Sequence, residues 1–388
     1  MQRGSIGRYE TTTVGGEQVR AFVPRPLPPD PPLVLDGPLQ QALEAATLAL
    51  GRLDAISTLL PDSSLFLYTY VRKEAALSSQ IEGTQSSFSS LLLFEMEEAP
   101  GVPIDDVTEV SNYVAAAEHG LRRIAGGFPM SNRLIREMHA LLLSTGRGSS
   151  MSPGEFRHSQ NWIGGTRPGN AAFVPPPPHA VAECMGALER FLHAEGDGLP
   201  VLVRAALAHV QFETVHPFLD GNGRIGRLLI TLLLAVRGVL RQPLLYLSLY
   251  LKEHRSRYYD LLQQVRVDGD WEAWLDFFLE GVRSTAEAAV DTSRRLADMF
   301  AADRAAIEQS GGGRAGSLLR VYEAMKERPA LRLSTVCERT GLTFPTASAA
   351  MKRLVAQGIA REVTGRQRGQ VFVYDAYVSI LNEGTETP

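Results

Sequence analysis

Apolar positions recur at helical spacing along most of the chain. Within 39–60 they fall at Leu43, Ala46, Leu50, Leu53 and Ile56, which predicts an amphipathic helix that stops before Pro61 and Asp62. The same period predicts helices over 64–82, 86–97 and 107–124. After Ser131, a suitable N-cap, it marks a segment carrying Leu134, Ile135, Met138, Leu141 and Leu142. His139 lies inside that segment and is expected to be a packed or hydrogen-bonded core residue. Further helices are expected over 201–214, 224–240, 255–266, 271–281 and 284–308, so the centre is nearly all α. Period-two alternation is confined to 8–23, around Gly15 and Gly16, and to 160–163 and 171–174, which flank a Gly-rich reversal; each reads as a hairpin.

The pattern changes after residues 310–313, Ser-Gly-Gly-Gly, which read as a linker. Three short helical segments, 317–326, 334–339 and 345–357, follow with Thr340-Gly341-Leu342-Thr343 as the turn between the last two. Alternating runs at 359–364 and 371–374 then flank a basic Gly-Arg-Gln-Arg-Gly-Gln stretch. This is the rhythm of a winged helix-turn-helix. The expected division is 1–38, a hairpin and Pro-rich connector; 39–130, a helical region; 131–309, a helical core with a small β-hairpin; 310–316, the linker; and 317–388, the winged domain. The fold class is mainly α.

Composition adds little to this picture until charge is considered. The 388 residues allow two or three domains, and 44% hydrophobic content fits an ordinary globular protein. Cys184 and Cys337 are far apart and belong to no ligand or redox motif, which suits a reducing cytoplasm. The start of the chain lacks an apolar core of the signal-peptide kind. The longest apolar run, 228–236, is broken by Thr231 and is far short of the ~20 residues that a membrane span needs, so neither export nor a membrane partner is expected. Net charge is −4, but 314–370 carries eleven Lys and Arg against four Asp and Glu, leaving −11 for the rest. The basic tail makes DNA an expected partner of 317–374, with Arg353, Arg366 and Arg368 as candidate phosphate contacts. A protein-interaction or dimerisation module is the competing reading.

Chemistry concentrates in 215–227, Val-His-Pro-Phe-Leu-Asp-Gly-Asn-Gly-Arg-Ile-Gly-Arg. A Gly-Asn-Gly turn opening an apolar helix aims backbone N–H groups and a positive helix end at one point, where an anion belongs. His216 stands just upstream as a base. Asp220 offers a carboxylate to a metal, and Arg224 and Arg227, three apart, share a helix face as phosphate clamps. Phe218 reads as the loop's core anchor. A His209/His216/Asp220 metal triad matches no common zinc spacing, and His209 is expected to be satisfied in the core.

The stretch resembles the signature of the Fic family, H-P-F-x-[D/E]-G-N-[G/K]-R-x-x-R, at every specified position. The resemblance implies a Fic-type helical core that transfers AMP from ATP to a Ser, Thr or Tyr hydroxyl of a target protein, with Mg²⁺ as cofactor. In those terms His216 is the general base and Asp220 holds Mg²⁺, while Gly221, Asn222, Gly223, Arg224, Gly226 and Arg227 bind the phosphates. Tyr259 and Leu262 line the adenine pocket. The hairpin around 160–174 becomes a flap over the target segment. Self-restrained members carry [S/T]-x-x-x-E-[G/N] on a helix; Ser78, Glu82 and Gly83 fit that pattern and imply that Glu82 pairs with Arg227. The alternative function is a nucleotide-sensing transcriptional regulator acting through the winged helix. Neither reading identifies the target protein, the nucleotide group beyond the resemblance, or whether the chain forms a homodimer.

Overall fold

The first hairpin is fixed by its turn. Strands β1 (Gly7–Val14) and β2 (Glu17–Pro24) pair antiparallel with Val14 opposite Glu17, and Gly15 and Gly16 between them both have positive φ, the two-residue geometry that matches strand twist. The computed structural model describes residues 3–59, 63–96, 103–312 and 315–386. The helix stop expected at Pro61 and Asp62, the end of the 86–97 helix, and Gly313 and Arg314 of the linker lie outside them.

Helices then follow in series: α1 (Gly37–Leu59), α2 (Ser63–Ile81), α3 (Phe88–Glu95), α4 (Ile104–Ala125), α5 (Asn132–Leu142), α6 (Pro178–His193), α7 (Val201–Val215), α8 (Asn222–Val236), α9 (Ser248–Glu253), α10 (Arg255–Asp268) and α11 (Trp271–Gly311). Ser131 caps α5 as expected, accepting from the Leu134 N–H, and Ser87 caps α3 in the same way. The centre of the fold is α7, whose residues from Leu202 to Val215 are all buried. A helix buried all round must be apolar all round or have its polar groups paired, and α7 meets this condition in part: His209 is paired as described below, Arg204 binds Phe191 O and Asp197, and Gln211 Nε2 donates to Arg25 O, while Gln211 Oε1 and Glu213 Oε1 are buried without a partner. α8 packs against it, α4 and α5 touch α8, and α1 packs against α11.

Two helix boundaries differ from expectation. Residues 271–281 and 284–308 form one 41-residue helix, α11. Gly281 does not interrupt it; a Cβ there would lie 2.7 Å from Tyr250 Cδ1, so the glycine admits an aromatic ring from α9. α6 was not anticipated at all, because the proline run 175–178 reads as a stop, whereas Pro178 occupies the first turn, where a missing N–H costs nothing.

The C-terminal unit comprises α12 (Ala315–Glu327), β3 (Ala330–Arg332), α13 (Leu333–Thr340), α14 (Phe344–Ala356), β4 (Arg361–Glu362) and β5 (Val371–Val373), followed by α15 (Asp375–Asn382). Its sheet is antiparallel in the order β3-β5-β4. β3 and α15 are additions to the sequence reading, and the expected strand 359–364 shrinks to two residues. Among the described residues, no helix is long and apolar enough to cross a membrane.

Candidate active site

α7 ends where Pro217 cannot continue it, and its cap, His216, is forced into the left-handed region at φ 47°, ψ 62°. A non-glycine residue stays there only when its surroundings hold it. The holder is Arg157. Its Nε donates to the His216 carbonyl at 2.9 Å, its backbone N–H to Pro217 O at 2.9 Å, and its Nη2 to Pro176 O at 2.5 Å. This guanidinium is buried among carbonyls, and burial pushes its pKa down to about 10. Nothing local in the sequence marks Arg157; its role depends on a contact 59 residues away in the chain.

The imidazole of His216 is less open than expected for a helix-end residue, with 18% of its side-chain surface exposed. Burial first, then the positive charges of Arg266 and Arg157, push its pKa down to about 3, so the ring is neutral at neutral pH. Its Nδ1 is buried without a hydrogen-bond partner, 3.9 Å from Oε2 of Glu213. Glu213 is itself buried, which pushes its carboxyl up to about 7.

The loop between α7 and α8 is wired from several sides. Asn222, expected to donate to a phosphate, instead clasps the loop: its Oδ1 accepts from the Phe218 N–H and its Nδ2 donates to Phe218 O, both at 2.9 Å. Asn161 Nδ2 donates to the same Phe218 carbonyl at 3.1 Å, a contact that the sequence did not suggest. Phe218 is fully buried, as anticipated, and stacks on His139 at 3.7 Å between ring centroids. His139 Nδ1 accepts from the Gly154 N–H, so Nε2 carries the proton and donates to Asp220 O at 3.0 Å. The expectation that His139 is a hydrogen-bonded core residue therefore holds.

Gly221 opens α8 at φ 76°, and its N–H donates to Asp220 Oδ1 at 2.6 Å. The Asp220 side chain keeps 40% of its surface. A loop at Gly148 comes so close to it that a Cβ there would lie 2.6 Å from Asp220 Oδ2. Among the described residues no cluster of three or more His, Cys, Asp or Glu side chains could hold a metal. A half-exposed carboxylate at a helix N-terminus, with Arg224 Nη2 3.7 Å from its Oδ1, suits a hard cation that takes its remaining ligands from phosphate and water. His209 takes no part in such a site: its Nδ1 meets Gly226 O at 3.0 Å and its Nε2 the Tyr258 hydroxyl at 2.8 Å.

The two arginines of α8 diverge. Arg224 Nη1 donates to Glu109 of α4 at 3.1 Å, and Arg147 reaches the same carboxylate at 2.8 Å. Arg227 turns to the end of α2: Nε donates to Ser78 Oγ at 2.8 Å, and Nη2 to Ser78 O at 2.9 Å and to Glu82 Oε1 at 2.7 Å. Gly83, at φ 102°, follows Glu82 and lets the chain turn there. Burial works to raise the Glu82 pKa, but the Arg227 charge and hydrogen bond outweigh it and hold the carboxyl below its ordinary value. That carboxylate lies directly over Gly223, where any Cβ would collide with Oε1. Gly226 faces elsewhere. A Cβ on it would strike Glu213 Oε1 and lie 3.2 Å from Phe212, so this glycine lets α8 approach α7 and is removed from the set expected to touch phosphate.

Of the expected adenine-pocket pair on α10, Tyr259 is 40% exposed and Leu262 is buried. Tyr258 is a core residue, as its spacing allowed. The expected flap hairpin reduces to one antiparallel bridge, Ile163 with Phe173, closed by a short turn over Pro168–Asn170. Gly164 and Gly165, both at positive φ, relieve the tip of regular pairing.

Comparison with known proteins bears on this geometry. The Fic/DOC family N-terminal model matches residues 40–122 and the Fic/DOC family model matches residues 129–234. A protein adenylyltransferase Fic from Culex quinquefasciatus is 36% identical over 154 residues, 39% of this chain and 28% of that protein. The Drosophila melanogaster protein of the same name is 30% identical over 188 residues, 48% of this chain and 35% of its own length. The chain thus spans about a third of the length of these curated relatives. Among solved structures, a Fic family protein from Desulfovibrio desulfuricans G20 superposes with a TM-score of 0.58 at 21% identity, covering 88% of this chain and 97% of that one. A Fic domain containing signaling protein from Bacteroides thetaiotaomicron gives 0.52 at 20% identity, over 64% and 95%. Those two likenesses are of fold.

Proposed function

The chain belongs to the Fic/DOC family, and on that footing we propose that it is a protein adenylyltransferase. The observation that carries the reading is the placement of a neutral, left-handed His216 one loop before the glycine-lined start of α8, with Asp220 between them. His216 Nε2 takes the proton of a Ser, Thr or Tyr hydroxyl as its oxygen bonds to the α-phosphorus of ATP. The bond to the β-phosphate oxygen breaks and pyrophosphate leaves. A base at Nε2 requires the proton to sit on Nδ1, and the nearby Glu213 carboxylate favours that tautomer.

The start of α8 and Arg227 serve the phosphates, and Arg224 supports the same end of the site. Asp220 holds Mg²⁺, which supplies charge neutralisation on the phosphate oxygens. The Glu82 pairing supports a self-restrained enzyme, because one carboxylate both occupies Arg227 and covers the Gly223 anion position. The fitting experiment gives the Glu82→Gly chain α-labelled or γ-labelled ATP with a cell extract. Label incorporated from the α position alone supports AMP transfer; label from γ alone overturns it.

The C-terminal unit we read as a winged helix, from its order of three helices and a three-stranded antiparallel sheet. Of the three arginines expected to meet phosphate, Arg353 donates to Ser310 O at 2.7 Å, and the exposed side of α14 offers Phe344 and Val355 with Lys352 as its cation. Those features favour a protein surface over a phosphate backbone.

A further inference from the structure

The end of α2 makes two engagements from neighbouring residues. Glu82 turns toward Arg227, whereas Gln80 turns away and donates through Nε2 to Thr385 O at 2.7 Å and to Ser86 O at 2.9 Å. Thr385 lies just past α15 and has no exposed surface. Its hydroxyl accepts from the Phe88 N–H at 3.4 Å and donates to Asn382 Oδ1 at 2.7 Å, and Asn382 Oδ1 accepts from the Ser89 N–H at 3.4 Å. The segment 382–386 therefore satisfies the first N–H groups of α3, which no residue within that helix could reach, while holding the last turn of α2. Glu82 sits in the turn between those two anchored ends.

The segment is itself fixed from outside. Arg295 of α11 clasps Glu383 with both terminal nitrogens, at 2.6 and 2.8 Å, and Lys252 Nζ donates to the carbonyls of Gly384 and Glu386 at 3.2 Å each. Gly384, at φ 79°, passes so near Leu249 that a Cβ would lie 2.7 Å from its Cδ1. Upstream, α15 is rooted by Tyr377 and Leu381, both fully buried, with Tyr377 edge-on to Phe300 of α11 at 5.1 Å. α15 begins two residues after β5, the central strand of the C-terminal sheet. A continuous run of packed structure thus leads from that sheet to the turn that carries Glu82.

We propose that residues 382–386 form a latch that keeps the Glu82 turn closed, so that the C-terminal unit governs access to the active site. The proposal rests on the reading of Glu82 as the restraint. Withdrawal of the segment strips Gln80 of its Thr385 acceptor and Phe88 and Ser89 of theirs. The turn then keeps its local hydrogen bonds, Glu82 N–H to Ser79 O at 3.0 Å, Gly83 N–H to Gln80 O at 3.1 Å, Thr84 N–H to Ser79 O at 3.3 Å and Gln80 Nε2 to Ser86 O at 2.9 Å, and the Gln85 N–H to Asp106 Oδ2 at 2.6 Å. With less to hold it, Glu82 leaves Arg227 more often, and the fraction of molecules with an open phosphate site rises.

The test measures AMP transfer by four full-length-background chains: the parent, a chain ending at Asn382, Glu82→Gly, and the two changes combined. Shortening should raise transfer about tenfold in the parent and leave the Glu82→Gly rate unchanged, since the restraint is already gone there. Because shortening also removes the buried Thr385, Gln80→Leu is measured beside it; this variant keeps the whole segment and should raise transfer severalfold, again only when Glu82 is present. An equal change in both backgrounds means that the segment acts on general stability and overturns the latch. So does an unchanged rate in Gln80→Leu when Glu82→Gly is active. If Glu82→Gly itself gains nothing over the parent, the restraint reading fails first, and that result is read from a chain whose C-terminal segment is intact.

Discussion

Arg224 and Arg227 sit three residues apart on α8, both are buried, and each is paired with a glutamate from another part of the chain. The partners differ in where they stand. Glu109 lies within α4, almost fully buried and shared by Arg147, so its backbone cannot move without moving the helix. Glu82 follows the last residue of α2, keeps 33% of its side-chain surface, and is succeeded by a glycine at φ 102°. Their acidities diverge accordingly. Burial raises the Glu109 carboxyl, with Arg224 and Arg147 opposing it, while Arg227 prevails over burial and lowers that of Glu82. The same two functional groups thus make a permanent brace in one case and a removable bolt in the other, and the difference is set by the backbone.

The largest effect is expected at His216, the base that both pairs would leave in place. In a Glu82→Gly background, His216→Ala should lower transfer by ~10²- to 10⁴-fold while ATP binding, followed by calorimetry, persists. Residual transfer within a few fold of its parent would remove His216 as the base. The comparison itself is tested by opening the two pairs separately. Glu82→Gly should raise transfer on the order of a hundredfold with little change in melting temperature, since it frees a clamp and uncovers the anion position. Glu109→Gln should do the opposite: it takes the carboxylate from the buried Arg224, costs on the order of 3 kcal/mol, lowers Tm by about 4 °C, and gives no activation. Activation by Glu109→Gln would show that the brace is a second bolt.

Ser78→Ala removes one of three hydrogen bonds that Arg227 makes to this turn, and should raise transfer only a few fold in a labelled-ATP assay. A change as large as that of Glu82→Gly would shift the restraint from the carboxylate to the serine. The smallest expected effect is one of pH. A carboxyl whose folded pKa is lowered contributes stability above its ordinary value, and loses it only as pH falls through the folded value. The ratio of Glu82→Gly to parent rates should therefore stay constant from about pH 6 to 9. A ratio that shrinks on going from pH 8 to pH 6 would show that the bolt titrates elsewhere.

What the sequence disclosed follows the distance over which each contact is made. His216, Asp220, Gly221, Gly223, Arg224 and Arg227 lie within a dozen residues, so their convergence could be read from one turn and one helix. Glu82 was visible only because a motif pointed to it; by local rules a carboxylate at a helix C-terminus is simply misplaced, and Arg227, 145 residues on, supplies the reason for it. Arg157, Glu109 and Asn161 carry no local mark. Their partners stand 57 to 115 residues away, and only the packing of α4, α7 and α8 brings them together. Asn222 and Gly226 mislead in the other direction, because a signature position can be occupied by a residue that shapes the loop or the helix contact without facing its ligand.

The strip of chain around Ile163 and Phe173 behaves, mechanically, as a cantilever. Its root is propped by the first hairpin, where the Phe22 N–H donates to Val174 O at 2.9 Å, and by Gln160 Nε2 on Pro175 O at 2.9 Å. Its far end is a small knot in which Asn170 Oδ1 accepts from the N–H groups of Thr166 and Arg167, tied to the first hairpin by the ion pair of Arg167 with Glu17. That pair is exposed to solvent, so mutation can rewrite the knot at little cost to the fold. In an enzyme of the proposed kind, lineages could exchange one client protein for another by drift at residues 166–172, while the chemistry beneath stayed untouched.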